Sequence, residues 1–396
     1  MIKKKILVIT SLYPSIKNPS YGSFIKDQIK LVDDVYEFKI LIDIKEEYSK
    51  SKFVKILFNL KKLLNVFKIK KINNEYCQEY ETIALQYSYF SFYIPPSFQL
   101  RRIIRAFDKR LKFQINSNWI PDLIHAHYLE NAGIIANCLG EKYNIPVIIS
   151  EHNAVNFCDT SFWSKKAKNA YFSADKFLVA SHHEKRRILT FSNGKIPNIL
   201  HSPVDEEIFQ IFNKNKNKNF NVLFVGYPHP IKGMSLLFEV INQIKEKQIT
   251  NIMFQIISSD YKTIEFPKGI KEFIIENKLD NYCELLCRVE KKEMITFYKE
   301  TDLFLSTSIN ETLGLSMVEA LMCGIPVVCT NSGGPEDFIT PENGIMVPVL
   351  DTQSLVEAII KIKNKELLFD PNKIRESVKY KFGKNEFKKK LINIYA

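Results

Sequence analysis

Short apolar runs recur along this chain, each followed by a longer amphipathic stretch, and that rhythm restricts the fold more than any other feature. Runs of a few residues are too short for buried helices. They suit parallel strands that are covered on both faces by crossover helices. In the first half the strand candidates are Lys5–Thr10, Phe38–Ile42, Thr82–Gln86, Asp122–His127, Pro146–Ser150, Lys176–Ser181 and Asn198–His201. A polar run, NKNKNKN at 213–219, has no apolar anchor and reads as a linker or surface loop. Beyond it a second series opens at Asn221–Val225 and continues through Ile252–Ile257, Glu284–Cys287, Leu303–Ser306, Pro326–Cys329 and Ile345–Val347. With 396 residues, 45% of them hydrophobic, the chain exceeds one ordinary core. The expected fold is α/β, with two Rossmann-like doubly wound domains facing across a cleft: residues 1–205, and residues 206–381, with a helix at 382–396 able to pack back on the first. Ligands of such sheets lie outside the carboxyl ends of the strands.

Chemistry is written most sharply at 308–320, SINETLGLSMVEA, between two of these strands. Glu311 falls on the loop and Glu319 eight residues later, in the second turn of a helix that starts near Gly314. The amides of Leu313, Gly314 and Leu315 then form a helix N-terminus, which favours an anion. A carboxylate beside a phosphate needs hydroxyl partners, such as those of a sugar or ribose. Two glutamates at this spacing, taken alone, read equally as solvated helix-end side chains.

The longer run ETLGLSMVEALMCGIPVV (311–328), with GGPE at 333–336 and Asn343-Gly344, resembles the signature of the family 4 glycosyltransferases. The resemblance implies the two-domain fold called GT-B, a nucleotide-diphosphate sugar as donor, and retention of anomeric configuration. It implies that Glu311 holds the donor sugar and Glu319 the ribose, with Thr312, Leu313, Gly314 and Leu315 also in the donor site. The segment VLFVGYPHPIKG (222–233) resembles the family's diphosphate-binding turn. Lys232 matches its lysine, which on its own would read as a solvated helix-start residue. Tyr227 stands where the family has an arginine, and a phenol carries no charge for a phosphate. Arg288, in CRV at 287–289, matches a segment that meets the nucleobase, and reads alternatively as a surface cation.

In the first half, SLYPSIKNPSYGSFIKDQI (11–29) is similar to the family's first loop and helix, with Gly22 near the diphosphate or simply in a turn. DLIHAHYLENAGI (122–134) also matches the family. There His127 is expected in the cleft, near the reacting sugar. His125 is expected on the other side of the strand, packed. Glu151 and His152 either reach the acceptor or make a local hydrogen bond. The implied mechanism stabilises the leaving phosphate with Lys232 and helix amides, and names His127, Lys232 and Glu311 as the residues that carry it. No aspartate pair spaced D-x-D occurs, which agrees with a metal-free phosphate site; neither metal nor cofactor is expected.

Lysine and arginine number 56 against 44 acids, a net charge of +12 that fits phosphorylated substrates, an anionic membrane or nucleic acid. No RNA-recognition motif supports the last. Ser49–Asn74 holds eight lysines and no acid, with Phe53, Ile56, Leu57, Leu60, Leu63, Leu64 and Phe67 at helical spacing. This reads as a basic amphipathic helix, able to lie on an anionic bilayer or to pack its stripe on a sheet. LRRIIRAFDKRLKF (100–113) reads the same way. The membrane alternative points to a lipid-linked or surface-polysaccharide acceptor. Only Ile6 to Ile9 are continuously apolar near the start, too little for a signal peptide, and no CxxC pair suggests zinc or a disulfide framework. A cytoplasmic location is expected, peripheral on the inner face of the membrane. Two further readings fit the same fold: a sugar-nucleotide epimerase, and a non-catalytic membrane-associated sugar-nucleotide-binding partner.

Overall fold

The computed structural model describes residues 3–16, 18–19, 21–48, 69–72, 76, 79–90, 94–153, 160–192, 194–212, 219–287, 289 and 293–396. The polar run at 213–218, Arg288, and Ser49–Asn74 apart from 69–72 lie outside them. The chain divides into two compact units: Met1–Ala180 with Lys185–Leu200 and Leu391–Ala396, and Ser181–Glu184 with His201–Lys390.

The first unit contains β1 (Lys4–Thr10), β2 (Tyr36–Tyr48), β3 (Lys70–Ile72), β4 (Glu81–Phe90), β5 (Leu123–His127), β6 (Val147–Ser150), β7 (Lys176–Val179) and β8 (Asn198–Ile199). Their order in the sheet is β3-β4-β2-β1-β5-β6-β7-β8. All neighbours pair in parallel except β3, which runs antiparallel to β4 through Lys71↔Leu85. Residues 70–72 therefore end the helical reading of Ser49–Asn74. Side chains alternate along this short strand with a period of two, so Lys71, out of place in a helical stripe, fits an edge strand.

Basic residues 100–113 lie on the helix Pro96–Asn116. Its apolar stripe, Leu100, Ile103, Phe107 and Leu111, is buried with Leu85, Tyr87 and Ala136 in the first core. That burial is worth roughly 1.5–3 kcal/mol per side chain. The stripe of this helix thus belongs to the sheet, and Arg101, Arg105, Lys109 and Lys112 remain in solvent. Among the described residues no helix is long and apolar enough to cross a membrane.

The second unit holds β9 (Phe220–Val225), β10 (Ile252–Ile257), β11 (Cys283–Leu286), β12 (Leu303–Ser306), β13 (Val327–Thr330) and β14 (Gly344–Val347). They form a parallel sheet in the order β11-β10-β9-β12-β13-β14. Renumbered from its first strand, this is 3-2-1-4-5-6, the doubly wound dinucleotide-binding order. The order reverses between β9 and β12, and in the first unit between β1 and β5.

Tight loops leave β9 and β12 side by side. Gly233, at φ 63°, caps the helix Met234–Glu246, and a Cβ there would lie 1.9 Å from the Thr307 carbonyl oxygen. Thr307 Oγ1 donates to the Gly233 carbonyl at 2.7 Å, and the Ile309 amide donates to the Ile231 carbonyl at 2.7 Å. The two loops are one hydrogen-bonded structure. Gly233→Ala should lower stability by about 2–4 kcal/mol, through a left-handed backbone plus a collision. Gly194→Ala, at φ 92° with nothing within 4 Å, should cost only about 1 kcal/mol. Urea unfolding of both variants measures the difference.

Candidate functional site

At the reversal point of the second sheet, Lys232 sits at the end of the loop that follows β9, and Glu311 on the loop that follows β12. Their side chains meet, Lys232 Nζ to Glu311 Oε2 at 2.6 Å, with 20% and 11% of each side chain exposed. Ser308 Oγ also donates to Glu311 Oε2, at 3.3 Å. The Glu311 backbone is pinned at both ends: its amide donates to the Ser332 carbonyl at 2.9 Å, and its carbonyl accepts from the Gly334 amide at 2.8 Å. That approach needs a glycine, because a Cβ at Gly334 would lie 2.6 Å from the Leu313 nitrogen.

Gly314, at φ 91°, caps the helix Leu315–Met322. A Cβ there would meet Met317 Cε at 2.2 Å and Glu311 Cγ at 3.2 Å. The helix's first donors are the amides of Met317 and Val318, both to the Gly314 carbonyl. The amides of Leu313, Gly314 and Leu315 have no acceptor among the described residues. One ammonium, one carboxylate and a bare helix start therefore lie together at the strand ends, a suitable cradle for an anion with hydroxyls attached. Thr312 stands beside Glu311, half-buried, while the Leu313 side chain is buried.

Glu319 lies on the same helix and is held differently. The buried Tyr298 hydroxyl donates to Glu319 Oε2 at 2.9 Å. Burial and the neighbouring carboxylate push the Tyr298 phenol far above its usual range, so it remains a donor. Tyr298 precedes β12 and has no signal in the sequence beyond an aromatic in an apolar stretch. Tyr227 is 52% exposed, and Lys232 Nζ lies 5.8 Å from its ring. His229 accepts the Ile231 amide through Nδ1 at 3.3 Å, which caps the turn Pro230–Lys232.

The first unit places Gly22, His127, Glu151 and His152 around its own reversal point. Gly22, at φ 70°, caps the helix Ser23–Lys30, and a Cβ would lie 2.6 Å from the Leu12 carbonyl carbon. Two residues on, Phe24 meets the His152 ring edge-on at 4.7 Å. His127 ends β5 and is buried. Its Nδ1 lies 3.0 Å from His152 Nε2, and the two rings stack at 5.2 Å. His125 is not on the opposite side: its ring lies 4.4 Å from that of His127. Residues i and i+2 of a strand share a face, and it is Ile124 and Ala126 that turn to the first core. His125 is packed, between Tyr395 and Ser150.

Glu151 makes the local bonds. Its carboxylate accepts the amides of Leu129, His152 and Asn153 at 2.7, 2.9 and 2.8 Å. It is thereby a brace for the loop. Beside it Tyr128 (φ 76°) and Asn131 (φ 56°, ψ −79°) hold strained backbone, the kind of strain that collects at binding sites.

Two regions of the sequence match families of sugar-transferring enzymes. Residues 204–381 match the family described as glycosyl transferases group 1, and residues 75–207 match Glycosyltransferase Family 4. The chain belongs to glycosyltransferase family 4. The glycosyltransferase is 29% identical over 255 residues to an uncharacterised glycosyltransferase of Methanocaldococcus jannaschii, covering 62% of this chain and 67% of the relative. It is 23% identical to the putative teichuronic acid biosynthesis glycosyltransferase TuaC of Bacillus subtilis, covering 92% and 90%. Among solved structures it is similar to sucrose-phosphate synthase from Thermosynechococcus elongatus, with a TM-score of 0.71 at 17% identity over 99% and 98% of the chains. It is also similar to the lipopolysaccharide outer core galactosyltransferase WaaB, with a TM-score of 0.68 at 17% identity over 99% of each. These likenesses establish the GT-B fold, built from two Rossmann-like α/β domains.

Among the described residues of the second unit lies a further polar cluster that the sequence did not reveal. Asp337 Oδ2 accepts the His182 amide at 2.9 Å and lies 3.1 Å from His182 Nδ1 and 3.3 Å from His201 Nε2. Three such atoms could ligate a metal. The Lys381 ammonium beside them, bonded to the Asp337 carbonyl, already answers the carboxylate's charge.

The three histidines of the first unit are uncharged at neutral pH. Burial takes His125 and His152 down to about 3, and burial with the neighbouring imidazoles holds His127 well below its usual range. A histidine whose folded-state pKa is depressed stabilises the fold fully above its unfolded value of about 6.5, and this is lost as the pH falls toward 3. Each contributes a slope of about 1.4 kcal/mol per pH unit. Glu151, raised by burial from 4.5 to about 7, opposes them with one proton between those values. Stability should therefore fall as pH drops below about 6.5, and His152→Phe should remove one proton's worth of that slope. Urea unfolding across this range reads it directly.

Proposed function

We propose that this glycosyltransferase moves a hexosyl group from a nucleotide-diphosphate sugar to a lipid-linked or surface-polysaccharide acceptor, with retention and without a metal. The observation that carries the reading is the Lys232–Glu311 contact at 2.6 Å, beside unpartnered helix-start amides at the reversal point of the second sheet. As the glycosidic bond stretches, the ring gains positive charge and the departing phosphate negative charge. The ammonium and amides stabilise the phosphate, and Glu311 grips the sugar hydroxyls. Glu319, oriented by Tyr298, takes the ribose. Fixed positive charge is thus present in the protein itself, which is why no metal is invoked. In the first unit His127 orients the reacting sugar, and no protein general base is assigned, since the departing phosphate can take the acceptor proton. The polysaccharide acceptor follows from the resemblance to TuaC. Attachment to the inner face of a cytoplasmic membrane, through Ser49–Asn74 and the solvent face of the helix Pro96–Asn116, completes the reading.

Tyr227 favours one second reading, a non-catalytic nucleotide-sugar partner of another transferase. Among the described residues it leaves Lys232 as the side-chain cation beside Glu311.

Thermal-shift titration with UDP-, GDP- and ADP-sugars should stabilise the protein with one nucleotide class, and the shift should shrink in both Lys232→Ala and Glu311→Ala. Free nucleoside diphosphate should separate the two. Lys232→Ala should weaken it roughly 10- to 100-fold, the loss of a charge-assisted hydrogen bond, whereas Glu311→Ala should not weaken it. Equal binding by Lys232→Ala would refute the phosphate role. Sugar transfer by the purified chain excludes the non-catalytic reading.

A further inference from the structure

One buried hydroxyl reaches the histidines of the first unit from the far end of the sequence. Tyr395 is buried, and its hydroxyl lies 2.6 Å from His125 Nδ1. The other ring nitrogen, His125 Nε2, lies 2.8 Å from Ser150 Oγ. Lys4 and Lys176 fasten the segment by bonding the carbonyls of Tyr395 and Ile394. The Tyr36 hydroxyl bonds the Ile392 carbonyl at 3.4 Å, and its ring meets Tyr395 edge-on. Within β5 the His125 ring meets that of His127, and its hydrogen bonds come from outside the strand. It is clamped from two sides by hydroxyls, and its face is the wall against which His127 lies.

A neutral imidazole has one donor and one acceptor nitrogen, so the two hydroxyls cannot play the same part. The phenol is the more acidic hydroxyl, and its contact is the shorter. We propose that Tyr395 is a positioning residue for His127: it donates to His125 Nδ1, fixes the His125 proton on Nε2 toward Ser150, and so locks the ring against which His127 packs at 4.4 Å. This rests on the reading of His127 as the histidine that orients the reacting sugar. The relay runs Tyr395, His125, His127, His152, and lies wholly within the first unit. The nucleotide-binding residues Lys232, Glu311 and Glu319 belong to the second. Loss of the Tyr395 hydroxyl therefore acts on the transfer step and spares donor binding.

The test compares the full-length protein with Tyr395→Phe, which keeps the ring, with Ser150→Ala, which removes the other end of the clamp, and with Tyr36→Phe. The last deletes a hydroxyl that holds the same terminal helix but does not touch His125. Tyr395→Phe and Ser150→Ala should each lower kcat roughly tenfold, as misplacement of an orienting group does. KM for the nucleotide sugar and its thermal shift should be unchanged. Tyr36→Phe should retain wild-type kcat. Side-chain nitrogen NMR of the histidines should show His125 protonated on Nε2 alone in the wild type, with Nδ1 altered in Tyr395→Phe. Wild-type kcat in Tyr395→Phe, an equal loss in Tyr36→Phe, or a His125 proton on Nδ1 would each overturn the proposal. If the wild type transfers no sugar, the functional reading fails, and the NMR tautomer still decides whether Tyr395 sets His125.

Discussion

Lys232 and Glu311 meet because two loops leave neighbouring parallel strands where the strand order reverses. At that point no crossover helix covers the strand ends, and the backbone is free to bind. The sequence must then keep a cation and an anion in contact while leaving both usable. It does so by fixing backbone rather than side chains: Glu311 is bridged between Ser332 and Gly334, and Gly233 lies against Thr307 too closely for any Cβ. The ion pair is largely shielded from water, so salt screens it less than a surface pair. A ligand that brings both phosphate and hydroxyl can replace each partner's contact with one of its own.

The two units place chemistry at equivalent points but choose opposite electrostatics. The second unit gathers full charges and bare amides. The first gathers aromatic rings and imidazoles that burial keeps neutral, with one buried carboxylate whose lone pairs are taken by backbone amides. Under the proposed function this division is sensible. A departing diphosphate needs fixed positive charge, whereas a reacting sugar ring gaining positive charge is ill served by a cation nearby.

Much of this was legible in the sequence because it is local. The strands Ile252–Ile257 and Leu303–Ser306 form where the apolar runs place them, and the glycine at 314 starts its helix because only glycine adopts that turn cheaply. The edge strand Lys70–Ile72 was hidden, since three residues carry no periodicity and its partner is β4. His125 was assigned to the wrong side although strand alternation places it beside His127. Tyr298 on Glu319 and Tyr395 on His125 were beyond reach for another reason. Both are contacts between distant parts of the chain, and a lone tyrosine in an apolar stretch reads as core. Asp337 with His182 and His201 is hidden in the same way.

The helix Pro96–Asn116 illustrates how burial settles what a surface can do. Its leucine, isoleucine and phenylalanine stripe is inside the first core, so its outward face carries cations together with the exposed Phe98 and Phe113. Attraction between such a face and an anionic bilayer is mainly Coulombic, with a range of about 8 Å in physiological salt and about 3 Å at 1 M. Any hold exerted by this helix would be a reversible, ionic-strength-dependent one, unlike the salt-resistant grip of a helix that inserts its own apolar stripe.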